Sequence, residues 1–244
     1  MNLLIDLGNS RLKWALYDKL TLVKQGESLT HAELTPQRLT ALWQSLQPQK
    51  IGLSCVGNTH LLDSIKSVIV SLWGNQIICH HAATQTYAFG VHNGYQQPEK
   101  LGIDRWLALI ATRQIYSTHV CLVDCGTAIT VDILNAQGQH EGGVISAGVC
   151  LMQKALASHT ADLPQLTHAN HIGLATDTKA AIYSGTVFAA CGLIEHIMAK
   201  QPPHTTLLLT GGDAPVLSAQ LSTPHTLNTT LVLHGLAIVI DALQ

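Results

Sequence analysis

Charged side chains are scarce in this sequence. Asp, Glu, Lys and Arg make up 11% of the 244 residues, against about 25% in an average soluble protein. A surface so poor in charge does little to hold copies apart, so a homo-oligomer, most simply a homodimer, is expected. Net charge is −2, and no basic run or aromatic-interleaved basic patch occurs. Nucleic acid is therefore not an expected partner. Long apolar runs are also missing. The best candidates, Ser67 to Trp73 and Leu236 to Leu243, fall short of the roughly 18 residues a membrane span needs, and the second contains Asp241. No membrane association is expected. Asp6 stands where a signal peptide would be apolar, which points to the cytoplasm. Neither G-x-x-x-x-G-K-[ST] nor G-x-G-x-x-G is present, so there is no P-loop or Rossmann signature. None of the six cysteines, Cys55, Cys79, Cys121, Cys125, Cys150 and Cys191, forms C-x-x-C. They read as small hydrophobes in a reducing compartment. Histidine is frequent, but at His80-His81 and at His168-x-x-His171 no nearby cysteine or carboxylate completes a set of metal ligands. They read as solvated loop residues.

What is present is organised around residues 120–148, VCLVDCGTAITVDILNAQGQHEGGVISAG. Val120-Cys121-Leu122-Val123 reads as a buried strand ending on Asp124. Cys125-Gly126-Thr127 reads as a tight turn. Gly126 is free to take positive φ there and let backbone N–H groups approach an anion. From Ala128 to Leu134 the pattern alternates, with Ile129, Val131 and Ile133 on one face and Thr130 and Asp132 on the other. The N-terminus repeats the design: Leu3-Leu4-Ile5, then Asp6, then Leu7-Gly8-Asn9, then an alternating run from Ser10 to Tyr17. The two aspartates are 124 − 6 = 118 residues apart. That spacing indicates an internal duplication of one supersecondary unit, too long for a solenoid repeat. Either copy alone is also the pattern of an ordinary hairpin. Together, two such hairpins suit the clamping of one phosphate chain.

Strand and helix alternate along the rest, which argues α/β. Thr21-Leu22-Val23 extends the first sheet. Thr35 and Pro36 are placed as N-cap and N1 of a helix to about Leu46, with Leu39, Leu42, Trp43 and Leu46 as its apolar stripe. A strand over 51–56, a helix to Trp73 and a short strand at Ile77-Ile78 follow. Residues 82–100, rich in Thr, Tyr, Gln, Asn, Gly and Pro, read as a loop over the site. Helices are expected over 105–116 (opened by Asp104), 149–158, 177–200, 214–221 and 229–243. A loop over 160–176 and a buried strand at Leu207-Leu208-Leu209, meeting the Gly211-Gly212 turn, complete the pattern. No linker separates independent domains. The halves are taken as 1–117 and 118–244.

These motifs resemble those of the actin, hexokinase and acetate-kinase superfamily, and more closely those of type III pantothenate kinases. Asp6-Leu-Gly-Asn-Ser-Arg-Leu-Lys13 resembles that family's first phosphate motif, Leu101-Gly-Ile-Asp-Arg-Trp106 its pantothenate motif, and Asp124-Cys-Gly-Thr-Ala-Ile-Thr-Val-Asp132 its second phosphate motif. Gly142 to Gly148 resembles the segment that follows, with Ala147 where the family usually has proline. Thr210-Gly-Gly-Asp-Ala214 resembles the late nucleotide-contacting glycines. The resemblance implies two duplicated ribonuclease-H-like, actin-like halves. Each would be a mixed β-sheet flanked by helices, with the nucleotide cleft between them.

It also implies ATP with Mg²⁺ as donor and pantothenate as acceptor, in the first step of coenzyme A synthesis. Phosphoryl transfer needs phosphate charge neutralised and a hydroxyl positioned. Leu7, Gly8, Asn9, Ser10, Arg11, Leu12 and Lys13 would meet phosphates from one half and Thr127 from the other. Asp6 would act through Mg²⁺, which keeps several of its waters. Asp124 would hold a monovalent cation, K⁺ or NH₄⁺. Gly211 and Gly212 would lie against adenine or ribose. Tyr95, Gly102, Ile103, Asp104, Arg105 and Thr178 would contact pantothenate, with Asp104 as general base and Arg105 as a fork for the substrate carboxylate. On their own residues, Asp104 also fits a helix cap, Arg105 a surface cation, and Gly211-Gly212 a plain strand-to-helix turn. The rival readings are a sugar or acetate kinase or an exopolyphosphatase on the same fold, against which Gly102-Ile-Asp-Arg-Trp106 argues, and a non-catalytic ATP-dependent regulator.

Overall fold

The computed structural model describes residues 1–57, 59–160 and 172–243. The chain folds as two compact units, Met1–Ile115 with Leu231–Gln244, and Tyr116–Thr230.

The first unit is built on β1 (Asn2–Leu7), whose Leu3, Leu4, Ile5 and Leu7 are fully buried. A strand apolar on both faces needs cover on both. β2 (Arg11–Asp18) pairs with it antiparallel and β5 (Lys50–Cys55) parallel. β3 (Thr21–Gln25) and β6 (Ile78–His81) complete the order β3-β2-β1-β5-β6. A short β4 (Leu29–Thr30) returns along β2, with Thr30 opposite Arg11. One core cluster joins Leu3, Ile5 and Leu53 to α1 (Pro36–Trp43) and α2 (Thr59–Trp73). Trp14 and Trp43 meet edge-on within it, ring centroids 6.3 Å apart. Thr35 caps α1 as its sequence suggests, accepting from the Arg38 N–H at 3.2 Å. The opposite face is covered by α7 (Leu231–Asp241), which packs on β1, β5 and α3 (Ile103–Ile115). A Cβ on Gly235 would sit 1.9 Å from the Leu107 carbonyl oxygen, so glycine is what lets α7 and α3 cross backbone to backbone. The closing helix, read from sequence as part of the second half, thus packs in the first unit.

Residues 82–100 are not all loop. They hold a two-strand ribbon, β7 (Tyr87–Ala88) and β8 (Val91–His92). His80 and His81 lie on the edge strand β6 and not in a loop. Burial holds the His81 imidazole below its ordinary pKa, with Lys66 and His80 adding to the effect. His168, His171 and most of the expected 160–176 loop lie outside the described residues.

The second unit repeats the plan. β9 (Val120–Cys125) pairs antiparallel with β10 (Ala128–Leu134) and parallel with β12 (Thr206–Thr210). With β11 (His140–Ala147) and β13 (His225–Leu227) the order is β11-β10-β9-β12-β13. Both units therefore have three antiparallel strands followed by two parallel ones, in one sequence-to-space order. The duplication read from the two Asp-x-Gly stretches is a duplication of fold.

α4 (Val149–His159), α5 (Thr178–Met198) and α6 (Ala214–Ser218) complete this unit. At 21 residues with mean hydropathy 1.3, α5 is long and apolar enough to cross a membrane by length and composition. Its Val187, Ala190, Cys191 and Ile194 pack with Cys121, Val123, Leu207 and Leu209 in the unit's core. Burial of Cys121 and Cys191 pushes their thiols up to about 12 and about 11, so both stay protonated at neutral pH.

Candidate active site

Each unit carries one carboxylate at the end of its central strand, and the two are seated alike. Asp6 on β1 lies opposite Lys13 on β2 and Ser54 on β5. Asp124 on β9 lies opposite Thr130 on β10 and Thr210 on β12. Ser54 and Thr210 are equivalent, and both are buried. Each aspartate thus has a small hydroxyl residue on its parallel side, which leaves the strand end uncrowded. The sequence reading missed Ser54. No local motif marks it, and only strand pairing across 48 residues places it beside Asp6.

The first turn is closed by Gly8 N–H donating to the Arg11 carbonyl at 3.0 Å. Asn9, Ser10 and Arg11 are exposed and Lys13 is half-buried. Leu7 and Leu12 are fully buried core residues, so of the expected phosphate stretch these two can offer a ligand only their backbone.

The second turn is closed by Gly126 N–H donating to the Ala128 carbonyl at 3.1 Å, with Thr127 exposed at its tip. Gly126 does not take the positive φ expected of it, and a Cβ there would make only ordinary contacts. The glycines this turn needs come from elsewhere in the chain. Gly148, just before α4, donates its N–H to the Thr127 carbonyl at 2.9 Å. A Cβ on it would lie 2.1 Å from the Gly126 carbonyl oxygen. Gly211, just after β12, has φ +96°, and its Cβ would fall 2.4 Å from both Asp124 Oδ1 and the Cys125 carbonyl oxygen. The Cys125 carbonyl also accepts from Asp213 N–H at 2.9 Å. Asp124, the Cys125 carbonyl and the Gly211 turn are therefore flush against one another. Burial raises the Cys125 thiol, and the nearby Asp124, Asp213 and Cys191 raise it further. Gly212 is different: among the described residues nothing non-neighbouring lies within 4 Å of where its Cβ would be. Asp132, at the far end of the motif, is buried against His140 at 2.8 Å and takes no part in the turn.

The third group lies in the first unit. α3 starts at Ile103, and its first bond runs from Trp106 N–H to the Gly102 carbonyl at 3.0 Å. Asp104 is thus a first-turn residue and not the cap. Its Oδ1 accepts the Arg105 N–H at 2.8 Å, one of the amides a helix start leaves without an internal partner. A Cβ on Gly102 would lie 2.6 Å from that oxygen, so the glycine makes room for the carboxylate. Arg105 is no surface cation: it is only 6% exposed. Its Nη1 donates to the Tyr95 hydroxyl at 2.5 Å, with the guanidinium 5.3 Å from the Tyr95 ring centroid. Tyr95 is placed in turn by Asn93, which sequence reasoning passed over. The Asn93 Oδ1 accepts from Tyr95 N–H at 3.0 Å, and its Nδ2 donates to the Gln85 and Pro98 carbonyls at 3.2 and 3.1 Å. The Asn-Gly-Tyr order was the available signal, since Asn favours such turns to the amide two residues on. Thr178, in the second unit, is exposed as the first residue of α5, behind the Asp177 cap.

A family model described as type III pantothenate kinase matches residues 2–200. The chain belongs to the type III pantothenate kinase family. The type III pantothenate kinase of Nitrosococcus oceani is 36% identical over 251 residues, covering 98% of this chain and 93% of that protein. That of Halorhodospira halophila is 36% identical over 246 residues, covering 97% and 96%. The Gly211-Gly212 turn and α7 lie beyond the residues of the family match. Among solved structures, a conserved Baf family protein of Campylobacter jejuni superposes with a TM-score of 0.62 at 24% identity, covering 98% of this chain and 97% of that one. The activator of 2-hydroxyisocaproyl-CoA dehydratase from Clostridium difficile, solved with bound ADPNP, superposes at 0.56 with 10% identity, covering 98% and 94%. These likenesses show the fold, two α/β units each built on a mixed sheet. Ala147 ends β11 opposite Ala128, directly before Gly148.

Proposed function

We propose that this chain transfers the γ-phosphoryl group of ATP to the hydroxyl of pantothenate, giving 4′-phosphopantothenate for coenzyme A synthesis in the cytoplasm. The observation that carries it is the family match joined to the buried Arg105, held by Tyr95 beside the first-turn Asp104. Asp104 accepts the hydroxyl proton as the oxygen attacks phosphorus, and ADP leaves. The turn at 8–11, Lys13 and Thr127 take phosphate oxygens, and Gly211-Gly212 lies on the adenosine side. Tyr95, the Gly102–Arg105 stretch and Thr178 take pantothenate. The deciding assay follows ADP and phosphorylated product with pantothenate, acetate and sugars offered in turn. Turnover with pantothenate alone is the expected result, and a sugar or acetate used in its place would sink the reading.

Asp6 is a carboxylate only 7% exposed at a strand end, suited to hold Mg²⁺ through water, which shields the phosphate charge. Asp124 and the Cys125 carbonyl, brought together against Gly211, are hard oxygen donors suited to K⁺ or NH₄⁺. Activity in saturating Mg²⁺ is expected to rise severalfold when Na⁺ is replaced by K⁺ or NH₄⁺. Equal initial rates in the two salts would remove the monovalent ion from the account.

A homodimer is also part of the proposal. In the second unit β11, α4 and α5 expose Val144, Ile145, Leu151, Leu156 and Phe188, on a chain with little charge to oppose contact. Light scattering at micromolar concentration is expected to give twice the 26.2 kDa chain mass; a monomer mass would count against it.

A further inference from the structure

β4 ends beside the first phosphate turn, and this has a purpose the family assignment does not supply. Thr30 on β4 pairs with Arg11, the last residue of that turn. An antiparallel register puts the next residue, His31, alongside Ser10. Thr30 and Glu33 form a capping box, with Glu33 Oε2 accepting from Thr30 N–H at 2.7 Å and from its hydroxyl at 2.6 Å. This box sets where the 3₁₀ turn His31–Glu33 begins. From there the His31 Nε2 lies 2.9 Å from the Gly8 carbonyl oxygen. A carbonyl can only accept, so Nε2 carries the hydrogen and donates.

The Gly8 residue is thus held at both ends. Its N–H donates to Arg11, and its carbonyl accepts from His31. The peptide after Gly8 is trans, and in a trans peptide the carbonyl and the following N–H point in opposite directions. Fixing the Gly8 carbonyl toward His31 therefore fixes the Asn9 N–H pointing away from it. We propose that His31 is a positioning residue for the donor turn: it holds the 8–9 peptide so that the Asn9 N–H is presented to a phosphate oxygen of the nucleotide. The inference rests on the reading of the 8–11 turn as phosphate-binding.

His31 can be removed without filling or breaking a core. It is half-buried, and with Asn9, Val56, Gly57, Thr59 and His60 it lines a cavity of about 350 Å³. Two variants separate hydrogen bonding from packing. His31→Ala removes the donor. His31→Gln restores one, because the glutamine amide nitrogen reaches about as far as Nε2.

The experiment measures binding of ATP and AMP, each with Mg²⁺, to the full chain by calorimetry, with melting curves for both variants. Wild type should bind ATP well above AMP. His31→Ala should weaken ATP about three- to tenfold, the worth of one lost hydrogen bond, and leave AMP unchanged. It should raise KM for ATP while kcat at saturating ATP stays level. His31→Gln should recover most of the ATP affinity. Unchanged ATP affinity in His31→Ala would overturn the proposal. So would equal loss of ATP and AMP, or a glutamine variant as weak as the alanine one. If wild type itself did not favour ATP over AMP, the phosphate reading of the turn would fall first, and visibly so, before any variant was compared. Should His31→Ala melt early, His31→Gln with wild-type stability but tenfold weaker ATP binding would equally refute the donor role.

Discussion

Asp104→Asn is expected to fold, to bind ATP as the wild type does, and to lose kcat by about 10²–10⁴, the usual contribution of a positioned general base. A primary alcohol is a poor nucleophile at neutral pH, so its proton must be taken as the phosphoryl group arrives. Asparagine keeps the local structure. Its Oδ1 can still accept the Arg105 N–H, as Asp104 Oδ1 does at 2.8 Å, and Gly102 still leaves it room. What is lost besides the base is one negative charge in the first turn of α3, worth about 0.3–1 kcal/mol of helix stability. A melting curve and an ATP titration run beside the kinetics separate the two contributions. If kcat stays near the wild-type value, Asp104 is a helix-start residue and the base lies elsewhere.

Gly211→Ala is expected to cost both stability and catalysis. At φ +96° an alanine is strained, by about 1–3 kcal/mol. In a chain of this size each kcal/mol lowers the melting temperature by about 2–4 °C. The new Cβ would also lie 2.4 Å from Asp124 Oδ1 and from the Cys125 carbonyl oxygen. The carbonyl belongs to a sheet strand and cannot yield, so the Asp124 carboxylate must swing or β12 must retreat. A displacement of about 1 Å at a catalytic group can cost about 10²-fold in rate, and a loss of that order in kcat/KM is the expected result. Gly212→Ala is the control. It meets open space and should leave the melting temperature in place, changing only KM for ATP if adenosine lies against it. Equal behaviour of the two variants would show that the close approach at Gly211 is unimportant.

The two variants also mark where sequence stopped being informative. β1, β9 and β12 were legible because strands covered on both faces read as unbroken apolar runs ended by a polar residue. α1 was legible because Thr35-Pro36 is a local signal for a helix start. The three residues of β13, with exposed Thr226 and Leu227, carry no such run, so the strand was not foreseen. Gly126 was credited with a conformational role because it sits in the turn. The requirement actually falls on Gly148 and Gly211, which reach the turn from other elements, and a close approach of distant backbones leaves no local trace. On its own residues Arg105 fitted a surface cation, beside the carboxylate fork that the resemblance implies, because charged residues are mostly exposed. Its burial depends on the Tyr95 hydroxyl, placed by the amide of Asn93, a non-local arrangement again. Among the expected site residues, the structure brings Tyr95, Gly102, Asp104 and Arg105 together in one unit, and Asp124, Thr127 and Gly211 in the other.

The return of α7 to the first unit sets an order of events during synthesis. Leu231, Leu236 and Ile240 of that helix are fully buried, and Gly235 locks onto the Leu107 carbonyl. The strands of the first unit are translated before the second unit, but one face of their sheet is covered only when α7 arrives. The unit in between is one continuous segment and can close as soon as it leaves the ribosome. Nascent chains therefore carry an open apolar surface on β1 and β5 until α7 has been made. A stop that removes α7 would damage the first unit, made earlier, rather than the second.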